Sequence, residues 1–171
     1  MSEQMTQLTL VETNRFHKLS AHDLNRIEKD HVISVALEIL SNRYQPGEAL
    51  TNPKHTYAYL RLMLAERKNE VFGCIFLDTR HRVIKTVELF HGTIDGASVY
   101  PRVVAQKALE LNAAATLFFH NHPSGIVEPS QADVRITEQL KRALDTIDVR
   151  VLDHVVIGDT QSISMAQSGL I

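Results

Sequence analysis

The stretch Ala113–Asp133, AAATLFFHNHPSGIVEPSQAD, opens as an unbroken apolar and β-branched run and closes on histidines, prolines, serines and an aspartate. Ala113 to Phe119 has the make-up of a buried strand whose pleat continues into His120. Side chains two apart share one face of a strand, so His120 and His122 project together. On a helix they would stand about 200° apart, a consequence of the ~3.6-residue period. Pro123, Ser124 and Gly125 stop the strand and turn the chain. After Pro129, the run SQADVRITEQLKRAL reads as a helix with Ser130 at or near its N-cap, which puts Asp133 in the first turn. A strand end and a helix start joined by a short loop can bring His120, His122 and Asp133 to within the ~2.0–2.2 Å that one zinc ion requires of its nitrogen and oxygen ligands. Three protein ligands leave a tetrahedral position for water, as in catalytic rather than structural zinc sites.

Simpler chemistry accounts for part of this pattern. SQAD resembles a capping box with Asp in place of the usual Glu or Gln, and an aspartate in a first turn is favoured by the helix dipole alone. Taken singly, Ser130 and Asp133 read as helix-start residues. The histidines resist that explanation, because two imidazoles ending the strongest apolar run of the chain are costly to desolvate without partners.

The order HxHP, six residues, then SxxD resembles the JAMM motif of the MPN-domain metalloproteins, and the surrounding text resembles the bacterial RadC family. The resemblance runs from about Arg67 to Leu170 through FHGTIDGASVYPRVVAQKALELNAAATLFFHNHPSGIVEPSQADVRIT, then RVLDHVVIGD and SISMAQSG. It implies a three-layer, cytidine-deaminase-like MPN/JAMM fold, one zinc ion held by His120, His122 and Asp133, and Ser130 within the site. It further implies a glutamate at the start of a strand upstream, and Glu70 in NEVFGCIFLD occupies that position. The residues themselves do not choose Glu70 over Glu66, Glu88, Glu110 or Glu128. A carboxylate that is not a ligand is needed to take a proton from water and pass it to a leaving amine. Ser130 would donate its hydroxyl to the developing oxyanion.

Composition sets the outer bounds. The chain has 171 residues, 44% of them hydrophobic and 22% charged, which suits one well-buried core. The expected division is an N-terminal arm and helix over residues 1–50 and the metal-binding domain over residues 51–171. No apolar stretch approaches the ~18–20 residues of a membrane span, and the N-terminus lacks a basic region followed by a hydrophobic one. The one cysteine, Cys74, lies in the apolar run VFGCIFL and reads as a small buried residue, so a disulfide framework is excluded and a reducing cytoplasm is the expected location. Net charge is −2, from 18 Lys and Arg against 20 Asp and Glu. Nothing in that balance draws the chain to a polyanion, and Arg135, Lys141, Arg142 and Arg150 are interspersed with acids as on an ordinary solvated surface.

The remaining elements follow in a consistent order. Residues 1–15 carry no clear period and read as a loose arm. From about His22 to Arg43, Ile27, Val32, Ile33, Val35, Ala36, Leu37, Ile39 and Leu40 predict a helix with a broad apolar face. YQPGEALTNP breaks it, and a second helix begins near Pro53, capped by Asn52 or Thr51, burying Tyr57, Leu60, Met63 and Leu64. VFGCIFLD and RVIKTVELF predict a hairpin. A loop with Gly92, Gly96 and Ser98 leads to a helix from Pro101 to about Asn112. The metal strand and loop come next, then a helix from Ser130 to about Thr146. VRVLDHVVIGD and QSISMA predict two closing strands. The class is α/β, a mixed sheet flanked by helices.

Asp153 and His154 interrupt an apolar strand and must find partners, either as support for a metal ligand or as a satisfied core pair. Arg102 in SVYPR reads equally as a substrate contact or a surface residue. His17, His22, His31, His55, His81 and His91 show no ligand spacing with one another. The leading expectation is a zinc metallopeptidase acting on a peptide or isopeptide-like amide, with a protein or peptide partner as substrate. The second is a non-catalytic module that binds proteins or DNA in a DNA-repair-associated system. Longer RadC proteins carry a helix-hairpin-helix region with glycine-containing hairpins. The first 50 residues here have Gly47 alone, which weakens the DNA reading. A zinc nucleobase deaminase would need a PCxxC segment that the sequence lacks. Oligomeric state is not legible.

Overall fold

Strand β3 of the final sheet, Ala115–Asn121, has every side chain buried and lies between an antiparallel and a parallel neighbour. In the computed structural model the described residues are 20–43, 45–47, 49–50, 52–65, 67–93 and 98–171. The expected arm over residues 1–15, His17, Thr51, Glu66 and Gly96 lie outside them. The chain divides into two units, residues 1–36 and 37–171.

Helix α1 spans Arg26–Arg43. It begins four residues later than the apolar pattern suggests, because Asn25 and Glu28 cap each other: the Asn25 N–H donates to Glu28 Oε2 at 2.8 Å and the Glu28 N–H donates to Asn25 Oδ1 at 3.1 Å. The expected broad apolar face is distributed around the helix, and Ile27, Val32, Ile33, Val35 and Ile39 are exposed.

In residues 37–171 the elements are α2 (Pro53–Leu64), β1 (Val71–Leu77), β2 (Val83–His91), α3 (Pro101–Glu110), β3, α4 (Gln131–Asp145), β4 (Arg150–Ile157) and β5 (Ser162–Ser164). The sheet runs β2-β1-β3-β4-β5, antiparallel except for the β3–β4 pair. That parallel pair needs a crossover, and α4 supplies it. The fold is a mixed α/β sheet with helices on both faces, the class expected from the sequence.

The pleat sorts the core into two layers. On one face Leu60 and Leu64 of α2 pack with Val71, Ile75, Leu117, Phe119 and Val155. On the other, Val104 and Ala108 of α3 and Leu140 and Leu144 of α4 pack with Phe72, Cys74, Phe76 and Phe118. Burying each large apolar side chain contributes roughly 1.5–3 kcal/mol, so the two layers clamp the central strands from both sides. Gly73 admits the close approach of Phe119: a Cβ there would lie 2.2 Å from the Phe119 ring and 2.7 Å from the Val87 carbonyl oxygen. The hairpin turn, α2 with its Asn52 cap and Pro101 at the start of α3 match the sequence reading. Helix α3 stops at Glu110, short of Asn112, whose φ of 51° takes it out of the helix.

Candidate metal centre

The end of β3 and the start of α4 meet at one point. His120 Nε2 stands 2.9 Å from His122 Nε2 and 3.4 Å from Asp133 Oδ1, and His122 Nε2 stands 3.5 Å from Asp133 Oδ2. His120 is fully buried, while His122 and Asp133 are half-buried. Register explains the first placement: His120 pairs with Phe72 of β1 and Val156 of β4, deep in the sheet. His122 follows the strand, and its Nδ1 meets the Ile126 carbonyl oxygen at 2.6 Å. The loop carrying Ile126 is held close to the β4–β5 turn, because Gly125, at φ +78°, sits where a Cβ would lie 2.6 Å from Asp159 Oδ2.

Ser130 is the N-cap of α4 and closes a full capping box with Asp133. The Asp133 N–H donates to Ser130 Oγ at 3.1 Å and the Ser130 N–H donates to Asp133 Oδ2 at 2.6 Å. The cap therefore fixes the carboxylate rather than competing with it for a role. Ser130 is exposed, and its hydroxyl accepts from the Asp133 N–H and donates to the Asp133 carboxylate.

Electrostatics follow the geometry. Burial pushes His120 down to about 4, keeping it neutral at neutral pH. The hydrogen bond to Asp133 raises His122, with Glu70 among the charges that add to the effect. Burial opposes the charge of Asp133, but His122, His120 and Ser130 outweigh it and hold the carboxyl well below the usual carboxylate range.

A divalent cation fits this set. The Ile126 oxygen can only accept, so His122 Nδ1 carries a proton and neutral His122 presents a lone pair at Nε2. Two imidazoles and one carboxylate then turn electron-rich atoms toward a single point, which needs a cation or proton between them. Ligands ~2.0–2.1 Å from a tetrahedral ion stand about 3.3–3.4 Å from one another. The two His–Asp separations match that spacing and the two imidazoles are closer. Among the described residues these three are the group of His, Cys, Asp and Glu side chains able to hold a metal.

Glu70 immediately precedes β1 and is half-buried. Its position is set by a residue the sequence reading overlooked. Asn121, between the two histidines, accepts the Val71 N–H at 2.8 Å through Oδ1 and donates from Nδ2 to the Asn69 carbonyl at 3.2 Å. It grips the backbone on both sides of Glu70. Of the competing glutamates, Glu88 pairs with Arg67 at 2.8 Å, Glu110 pairs with Lys107 at 2.8 Å, and Glu128 is exposed.

Asp153 and His154 are adjacent in β4, so they face opposite layers. Asp153 accepts from the Tyr57 hydroxyl at 3.1 Å and from the backbone N–H groups of His154 and Ala166 at 2.7 and 3.1 Å, tying α2 and the C-terminal segment to the sheet. The His154 ring instead meets His120 Nδ1 at 2.8 Å.

The profile of the RadC-like JAB domain matches residues 50–170. The chain belongs to the RadC-like JAB family. It is 54% identical over 144 residues to a UPF0758 protein of Vibrio cholerae, an alignment covering 84% of this chain and 91% of that one. It is 55% identical over 139 residues to a UPF0758 protein of Shewanella frigidimarina, covering 81% of this chain and 62% of the relative. A relative from Shewanella sp. strain ANA-3 is 56% identical over 137 residues, covering 80% and 61%. The chain therefore spans less than two thirds of the length of these Shewanella relatives.

Within this RadC-like JAB domain several other polar candidates are surface residues. Arg102 is exposed in the first turn of α3, and Arg135, Arg142 and Arg150 are exposed. His81 meets the Arg150 guanidinium at 3.3 Å. A cleft of about 260 Å³ opens beside His122, with Arg67, Asn121, Pro123 and Asp159 in its lining. No helix among the described residues is long and apolar enough to cross a membrane.

Proposed function

We propose that this RadC-like JAB domain is a zinc metallohydrolase that cleaves a peptide or isopeptide-like amide of a protein partner, working in the reducing cytoplasm. The observation carrying this reading is the convergence of His120, His122 and Asp133 within 4.8 Å, in a chain of the JAB family. Zinc suits a donor set of two imidazoles and one carboxylate, and when bound it supplies Lewis acidity that acidifies water and polarises a carbonyl.

The residues of the chain divide the remaining work. His120, His122 and Asp133 hold the ion. Glu70 accepts a proton from the attacking water and returns it to the departing amine nitrogen. Support for that role comes from its charge, felt at His122, and from the Asn121 clamp on its backbone. Ser130 turns its hydroxyl proton from the Asp133 carboxylate to the carbonyl oxygen as negative charge develops there.

The test is zinc analysis of the purified protein together with cleavage assays on peptide-linked and isopeptide-linked substrates. Wild type is expected to carry one zinc per chain, His122→Ala none, and Glu70→Gln one zinc without turnover. Full amide cleavage by Glu70→Gln would remove Glu70 from the base role, and a zinc-free wild type would remove the whole reading.

A further inference from the structure

We propose that Thr137 and His154 are positioning residues that hold His120 in a single tautomer, so that its Nε2 presents a lone pair to the metal position; the purpose of this relay rests on the zinc reading above.

The Asp133 carbonyl oxygen has no proton and lies 2.5 Å from Thr137 Oγ1. The single hydroxyl proton of Thr137 is therefore directed to it. A competing acceptor, Met165 Sδ, stands at 4.0 Å and is a weak one. With its proton committed, Thr137 Oγ1 can only accept from His154 Nδ1, 2.6 Å away, and Nδ1 must carry the hydrogen.

His154 is completely buried. Phe72 and Phe118 meet its ring edge-on, with centroids at 5.4 and 5.8 Å. Its ring nitrogens are bonded to Thr137 and His120 rather than to a carboxylate, so an imidazolium there would be a desolvated and unpaired charge. A neutral imidazole has one ring proton. As that proton is on Nδ1, Nε2 of His154 is an acceptor, and at 2.8 Å it receives the Nδ1 proton of His120. His120, also neutral, then has a bare Nε2, and this atom faces His122 Nε2 and Asp133 Oδ1.

The relay closes on itself. Asp133 offers its carboxylate to the cluster, and its own carbonyl, on the same residue of α4, anchors the far end. One helix start thus sets both the position of one ligand and the electronic polarity of another, through three hydrogen bonds, two of them fully buried. Reversing the tautomer of His120 would turn an N–H toward the metal position.

Two measurements test this. Long-range proton–nitrogen NMR of the metal-free, 15N-labelled full chain, at a mildly alkaline pH, is expected to show His120 and His154 both protonated on Nδ1. An Nε2-protonated form of either overturns the proposal, with or without metal. Competition titrations with zinc alone then compare variants whose urea midpoints establish that they fold. Thr137→Val, which keeps the shape and removes the hydroxyl, is expected to weaken zinc binding by about 10- to 100-fold, and Thr137→Ser to restore it. Unchanged affinity in Thr137→Val overturns the relay alone. A wild type that shows the expected tautomers but takes up no zinc overturns the zinc reading, and with it the relay's purpose.

Discussion

Asn121 and Val71 are joined by a 2.8 Å hydrogen bond from the buried Val71 N–H to the Asn121 side-chain oxygen. Asn121→Ala leaves that N–H unsatisfied and is expected to cost about 1–3 kcal/mol, visible as a lower urea midpoint. Because the clamp flanks Glu70, turnover is expected to fall while zinc content stays at the wild-type level. A variant with wild-type stability and turnover would show that the clamp holds nothing of consequence.

Ser130 caps α4 and, in the proposed mechanism, also donates to the oxyanion. Ser130→Ala removes the cap on α4 and is expected to cost about 1 kcal/mol of stability. Loss of an oxyanion donor lowers kcat by about 10²- to 10³-fold. Stability and rate measured on one preparation distinguish these duties: a stability loss with an unchanged kcat would leave the cap as the residue's whole contribution.

Metal removal should be felt throughout the domain. Ligand binding stabilises the native state by mass action, by about 2.7 kcal/mol at free zinc ~100-fold above Kd. Adding zinc to chelator-treated protein is expected to raise Tm, and His122→Ala to abolish the rise. An equal rise in that variant would place the ion elsewhere.

At Gly73 there is no room for a methyl group. Gly73→Ala drives a carbon into the Phe119 ring and the Val87 carbonyl, and overpacking of this kind costs about 1–3 kcal/mol or more. Chemical denaturation reads the loss directly.

Burial pushes the Cys74 thiol well above its ordinary range. At mildly alkaline pH the folded protein is expected to resist thiol reagents that the urea-unfolded chain consumes at once. The sign for stability follows from the raised value: the contribution is complete below the unfolded thiol's pKa and falls as pH rises past it, because the unfolded chain sheds its proton first. Rapid labelling under native conditions would contradict the burial.

Sequence reasoning succeeded where local geometry governs. The alternation of a strand brings His120 and His122 to one side, and the first turn of a helix accounts for Asp133 and its partnership with Ser130. It failed where sheet register governs. Asn121 reaches Val71 and Asn69 across fifty residues, and His154 reaches His120 through the parallel pairing of β3 and β4. Neither contact has a local signature. Glu70 is one glutamate among several until that register places it, which is why family resemblance alone selected it. Adjacent Asp153 and His154 read as a unit, yet the pleat sends one to α2 and the other to His120. The apolar residues of α1 promised a single face, but periodicity cannot say what covers it.

The donors of the cluster rest on foundations of unequal strength. Breaking β3 open means rupturing ladders on both of its flanks, whereas the carboxylate is anchored by a helix end that one reciprocal cap secures. Amide hydrogens of Phe118 to His120 should therefore exchange only through global unfolding, and those near Ser130 and Asp133 through local fraying. An ion held by this cluster is therefore expected to leave past the aspartate, with the strand-borne imidazole of His120 as the donor that moves least.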